Sequence, residues 1–146
     1  MLLPEWVSSS GAITGSVAAA AFTLTQAFSA SSVRADWSPS PEPKQWQQLR
    51  QSLLPGDSWR FVDATSTDQL EAGEYIRRPR TVGDSVELDA GLILKKADQP
   101  EWSVRVVPMR AVCPEDRLER KDANGGWTPY PGRAVTAVRV RWICSL

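Results

Sequence analysis

The sequence predicts an α+β fold: a twisted antiparallel β-sheet with one short amphipathic helix packed on it and one disulfide. Three observations predict it. Several runs alternate apolar and polar residues with the period of two that a half-buried strand needs. Trp46, Leu49 and Leu53 repeat at helical spacing and stop at Pro55-Gly56. The two cysteines, Cys113 and Cys144, both fall on the apolar parity of their runs. A sheet and a helix that each have one apolar side bury them most economically against each other.

Taken in order, residues 11–30 are Ala-rich and carry no charge, and Val33-Arg34-Ala35 follows with a small residue before a cut at Asp36. Residues 1–35 therefore read as a signal peptide, although the basic n-region is missing and only Glu5 and the amine precede the apolar core. The secondary reading is an uncleaved N-terminal anchor, giving membrane association through residues 11–30. Residues 36–44 form a Ser/Pro-rich linker in which Pro39, Pro41 and Pro43 alternate and favour extended chain. The domain proper is 45–146, opening with a helix over residues 45–54. Trp59, Phe61 and Asp63 share one side of a first strand, and residues 74–78 make a second. Val86, Leu88 and Ala90 mark a third, with Gly91 reading as a bulge or bend before Leu92-Ile93-Leu94. Trp102, Val104 and Val106 begin a fourth, whose parity shifts near Val107-Pro108 so that Met109, Ala111 and Cys113 point inward. Proline there argues for an edge strand or a bulge. Asn124-Gly125-Gly126 is a turn, and Val138, Val140, Trp142 and Cys144 alternate as a last strand.

Composition limits the chemistry. The chain has 146 residues, 42% hydrophobic and 23% charged, which suits one globular domain. Lys+Arg and Asp+Glu both number 17, so no bulk charge drives binding to phosphate backbones, and no nucleic-acid partner is expected. The absence of histidine removes Ser-His-Asp and Cys-His catalysis and histidine-ligated metals. Two cysteines without a C-x-x-C spacing make half a zinc site, so no metal and no cofactor is expected. In an oxidising compartment Cys113 and Cys144 pair; in the cytosol they are two buried thiols.

Candidate binding residues fall in two groups. Trp127 and Tyr130, held among prolines, offer flat rings for a sugar or a proline-rich peptide; otherwise Trp127 caps the core. Arg105, Arg139 and Arg141 lie on outward strand parity, with Arg77, Arg78 and Arg80 in a turn region, and neighbouring strands would join them into a basic band for an anionic polysaccharide or lipid headgroup. The competing arrangement is a cross-strand ladder with Glu87 and Asp89, and zero net charge favours it. Asp122-Ala123-Asn124-Gly125-Gly126 begins like a calcium loop, but Arg133 stands where a bidentate Glu is needed, which leaves an Asn-Gly turn. Asp63 on an apolar parity is the acid best placed for the proton transfer of a carboxylate-based hydrolase; the favoured alternative is an Asp that accepts backbone bonds in the following Thr-Ser-Thr turn, and no second acid can be set opposite it for a glycosidase-type pair.

Trp59-Arg60-Phe61-Val62-Asp63-Ala64-Thr65-Ser66 resembles the opening strand of the bacterial surface-adhesin protein E family. Cys113, the run Trp127-Thr128-Pro129-Tyr130-Pro131-Gly132 and the terminal Cys144 resemble that family's later landmarks. The stretch between Cys113 and Trp127 is short and strongly charged, and no basic matrix-binding segment stands out. The resemblance implies an exported, disulfide-linked sheet domain with a helix packed on it, and non-enzymatic binding to extracellular partners. The expected function is thus an exported adhesin-like binding domain without enzymatic activity. It would be periplasmic, secreted or at the cell surface, with a protein or polysaccharide outside the cytoplasm as partner. The alternative is an accessory structural subunit of a membrane-associated complex, anchored facing the exported side.

Overall fold

The computed structural model describes residues 36–146. The leader, its cleavage point and the alternative anchor at 11–30 lie outside the described residues. Helix α1 (Lys44–Leu53) precedes strands β1 (Arg60–Ser66), β2 (Leu70–Val82), β3 (Ser85–Lys96) and β4 (Ser103–Val112). A 3₁₀ turn, Cys113–Glu115, then leads to β5 (Arg117–Lys121), β6 (Trp127–Pro129) and helix α2 (Thr136–Cys144). The six strands form one sheet in chain order, each antiparallel to the next. β2 and β3 join through a two-residue turn in which Gly83 holds a φ of 62°, a conformation favoured by the lack of a Cβ.

The sheet has a helix on each face rather than one helix in all. On one face α1 lays Trp46 over the sheet, with Leu54, Trp59, Phe61, Tyr75 and Ile93 buried around it. On the other, α2 buries Val140, Trp142 and Ile143 against Val62, Ile76, Val86, Leu88 and Ala111. Along β3 the α1 cluster uses Ile93 and the α2 cluster uses Val86 and Leu88, so the helices cover opposite ends of the sheet on opposite faces. This offset explains the apparent parity shift in β4. Val104 packs on the α1 side and Met109 and Ala111 on the α2 side, while the register with β3 runs unbroken from Ser85↔Val112 to Leu94↔Ser103. Pro108 lies in a part of β4 that β5 does not pair, since β5 matches only Met109 to Val112, so the proline is tolerated on a local edge.

Gly91 makes no bulge either. A Cβ there would sit 2.8 Å from the Trp59 ring, and one at Gly73 would sit 2.5 Å from the Trp46 ring. The two glycines are flat places on which tryptophans lie. The Tyr75 hydroxyl donates to the Trp46 backbone carbonyl at 3.1 Å, which ties β2 to α1, and the Trp59 indole donates to the Pro55 carbonyl at 2.9 Å, which fixes that ring. Burial, then the Glu42 carboxylate, push the Tyr75 phenol up, so it remains a donor throughout the ordinary pH range.

The irregularities lie elsewhere. β1 shifts register between Phe61 and Asp63, which sends Phe61 to the α1 face and Asp63 to the α2 face, against the expectation that they share a side. β2 shifts between Arg77 and Arg80, where Arg78 has a φ of 52°.

The expected last strand is α2. Alternation at Val138, Val140, Trp142 and Cys144 also fits a helix that is apolar around most of its girth, and Val140, Ile143 and Cys144 recur at three- and four-residue spacing. Cys144 is nevertheless bonded to Cys113, with Cα atoms 6.0 Å apart. By loop closure over 31 residues the bond contributes about 3 to 4 kcal/mol. The Ser/Pro segment is extended but tied down: Trp37 meets Trp142 edge-on at 5.7 Å and Glu42 accepts from Arg50 at 2.9 Å. No helix among the described residues is long and apolar enough to cross a membrane.

Replacing Gly73 with Ala should lower the unfolding free energy by about 1 to 3 kcal/mol, because the Trp46 ring must lift from the sheet. Urea titration reads this directly, and unchanged stability would show that the ring does not need that flat place.

Candidate functional site

The chain returns from the β6 edge to α2 across the α2 face of the sheet. At one end the Tyr130 N–H donates to the Leu118 carbonyl on β5 at 2.9 Å. At the other, the Arg133 guanidinium binds Glu74 on β2. Residues 130–135 therefore arch over β4 and β3, spanning about 14 Å at the usual strand spacing. The two ties attach the ends of the crossing to β5 and β2.

Under the arch lies a cavity of about 220 Å³. Its floor is Ala90 and Leu92 of β3, Val107 and Met109 of β4, and Leu118 of β5. These positions lie on the α2 face; Ala90, Met109 and Leu118 pack against the α2 cluster, while Leu92 and Val107 lie beyond it along the strands. Ile143 and Arg139 bound the cavity from α2, Tyr130 and Arg133 from the arch, and Arg105 and Arg120 from β4 and β5.

Its charge is uneven. Arg139 is only 12% exposed and binds both Asp63 and Glu74, while Arg133 binds the second oxygen of Glu74. The β1 bulge is what brings Asp63 to this face. The hydrogen bond to Glu74 raises the pKa of Arg133 above its ordinary value against the opposing effect of burial. Arg139 Nε is buried without a hydrogen-bond partner. Arg105 and Arg120 have no ion-pair partner among the described residues. Four guanidinium groups thus line the cavity against one carboxylate, Glu74. Asp63 and Glu74 both serve as acceptors for arginine, an arrangement that ties α2 to β1 and β2. No group of three or more potential metal ligands among the described residues could hold an ion.

Of the residues singled out from sequence, the structure brings Tyr130, Arg105 and Arg139 together here. It does not make the strand-borne basic band that is the alternative to a ladder. Arg139 and Arg141 ride on a helix, and Arg141 turns away to Asp116 at 2.8 Å. Arg77 and Arg80 pair across strands with Asp89 and Glu87 at 3.1 and 2.7 Å, the ladder arrangement. Trp127 and Tyr130 do not form one aromatic surface. Trp127 borders a shallower depression with Arg80, Asp89, Pro108 and Lys121, whereas Tyr130 borders the cavity under the arch. Nor does Trp127 cap either core cluster. It covers an ion pair: its ring lies 4.7 Å from the Arg110 guanidinium, which binds the buried carboxylate of Glu119 at 2.9 Å. Asp122 accepts the N–H groups of Asn124 and Gly126, each at 2.9 Å, as an Asn-Gly turn requires.

Sequence reading missed Arg120, Arg133 and Glu74. Arg120 sits in a charged run with no apolar alternation, although Asn124-Gly125 is a strong hairpin signal and would have given the parity of its flanks. Nothing local marks Glu74 or Arg133, because their meeting depends on where the arch lands.

Arg139→Met should cost about 2 kcal/mol in chemical unfolding, because it leaves Asp63 and Glu74 without their most buried partner. Arg141→Met, at a pair about one third exposed, should cost at most about 1 kcal/mol. Equal effects would contradict the bracing role of Arg139. Compared with models of protein families, with curated proteins and with solved structures, the chain matches none, so the reading of this site rests on its own geometry.

Proposed function

We propose that the chain is a non-enzymatic binding domain of adhesin-like type that works outside the reducing cytosol, in the periplasm, at the cell surface or secreted. The observation that carries this reading is the bond between Cys113 and Cys144, which fixes the last residues of α2 to the end of β4 while the arch hangs from the other end of the helix. A disulfide of this kind persists in oxidising compartments. A leader cut after Ala35 would retain Trp37 and with it the edge-on contact to Trp142.

Binding rather than turnover is the reading that the arginine-held carboxylates support. Glu74 has both oxygens taken by Arg133 and Arg139, and Asp63 gives one oxygen to Arg139 and the other to the Ala64 N–H, whereas a general base needs an oxygen facing a substrate proton. An apolar floor with a few convergent polar groups at its rim is the usual make-up of a ligand site. The partner in this reading is a protein or polysaccharide outside the cytoplasm, met by the arch and the neighbouring loops.

Alkylation of native-host material without reductant, followed by intact-mass measurement, tests the proposal. The expected result is no alkylation at Cys113 or Cys144 and a mature chain beginning near Asp36. Two modified thiols would overturn the compartment, and a retained leader would move the protein to the anchored alternative.

A further inference from the structure

We propose that the cavity under the arch binds a small amphiphilic anion, a carboxylate with an aliphatic body. This deepens the binding-domain reading by naming a ligand class for its site. Three features of the cavity select that class. The floor is aliphatic, with Met109 as its adaptable member, and offers no hydrogen-bonding side chain along Ala90, Leu92 and Val107. At about 220 Å³ it lies below the range that accepts drug-sized molecules, so the guest is small and slender. The charge at its border is positive, and the positive groups divide in two.

Arg133 and Arg139 are committed to Glu74 and Asp63 and hold the roof. Arg105 and Arg120 are exposed, lack an ion-pair partner among the described residues and still line the cavity. Arg120 stands beside Met109 in the β4–β5 register, and Arg105 stands four residues back along β4, about 13 Å of strand. Val107 lies between them on the same face. Two long side chains reaching from the ends of that span flank a carboxylate entering over Val107. The open border is here too, because β4 has no paired neighbour beyond Met109. A neutral apolar guest would leave both guanidinium groups unused. A small inorganic anion would leave the aliphatic floor bare. An anionic head with an aliphatic tail satisfies both, the tail running under the arch toward Ile143 and the Tyr130 hydroxyl standing near the border as a further donor.

The test is titration of the oxidised full-length chain with decanoate below its micelle range, followed by calorimetry and by methyl NMR of Met109 and Val107. The proposal expects one molecule bound per chain and shifts at both methyl positions. It also expects an affinity at least about tenfold above that for decanol, the loss that removing a charge-assisted contact produces. Acetate should bind no better than decanol, and each methylene added between hexanoate and decanoate should strengthen binding by about fourfold until the floor is full. Arg105→Ala and Arg120→Ala, both at exposed positions, should each weaken decanoate by about tenfold, whereas Lys96→Ala should leave it unchanged. Equal affinity for decanol, absence of saturable binding, or unaltered binding in both arginine variants overturns the proposal. None of those outcomes bears on whether Cys113 and Cys144 are oxidised in the native host, so the failure of this ligand class is distinguishable from the failure of the exported-domain reading.

Discussion

The molecule depends on how α2 is held. A helix of nine residues with no side-chain cap at its start is too short to stand on its own propensity, and its conformation comes from tertiary ties. One tie is covalent, from Cys144 to Cys113 at the end of β4. The other is ionic, from Arg139 to Asp63 and Glu74, with Arg133 joining from the arch. Between them Val140 and Ile143 pack on the sheet. The first tie secures the C-terminal end and the second the approach to the N-terminal end. The roof of the cavity therefore owes its position to two interactions of different chemistry, one sensitive to reductant and one to charge.

The sheet itself is less demanding. Its strands meet in chain order, so every pairing is local, and β2, β3 and β4 are long enough to make a continuous platform. What shapes the platform is its use on both faces. α1 sits over the end containing Gly73 and Gly91, where missing side chains let Trp46 and Trp59 lie flat. α2 sits over the end containing Val86 and Ala111. The cavity under the arch opens on the α2 face between the α2 cluster and Leu92, Arg105 and Val107 beyond it, and the depression beside Trp127 lies on the α1 face. On the α1 face three arginines are paired, Arg77 with Asp89, Arg80 with Glu87 and Arg110 with Glu119, while Arg78 and Lys121 at the depression have no ion-pair partner among the described residues. Zero net charge thus conceals a local excess at the cavity, where Arg105 and Arg120 have no ion-pair partner among the described residues.

Much of this was legible in the residues. Trp46, Leu49 and Leu53 announce α1, and alternation finds the central strands, because both signals reflect one apolar side. Periodicity is ambiguous where a segment has two apolar sides. α2 alternates well enough to pass for a strand, and β4 looks phase-shifted at Val107 only because its buried face changes midway. β5 escaped because Glu119, although buried, is paired with Arg110 and so leaves no apolar trace. For the site, the outward parity of Arg105 and Arg139 and the proline-held Tyr130 mark surface residues that do line one cavity, but from a strand, a helix and an arch rather than from a strand-borne band and a separate aromatic loop. Glu74 and Arg133 meet across 59 residues of sequence, a distance over which periodicity carries no information.

Amide hydrogen exchange on the oxidised and reduced chain tests most directly whether the disulfide holds the roof. Reduction should speed exchange at Arg139 to Ile143 and at the Tyr130 amide, while amides of β2 and β3 keep their protection, because the platform does not depend on the bond. Unchanged exchange in α2 after reduction, or a uniform loss of protection across the sheet, would contradict the account.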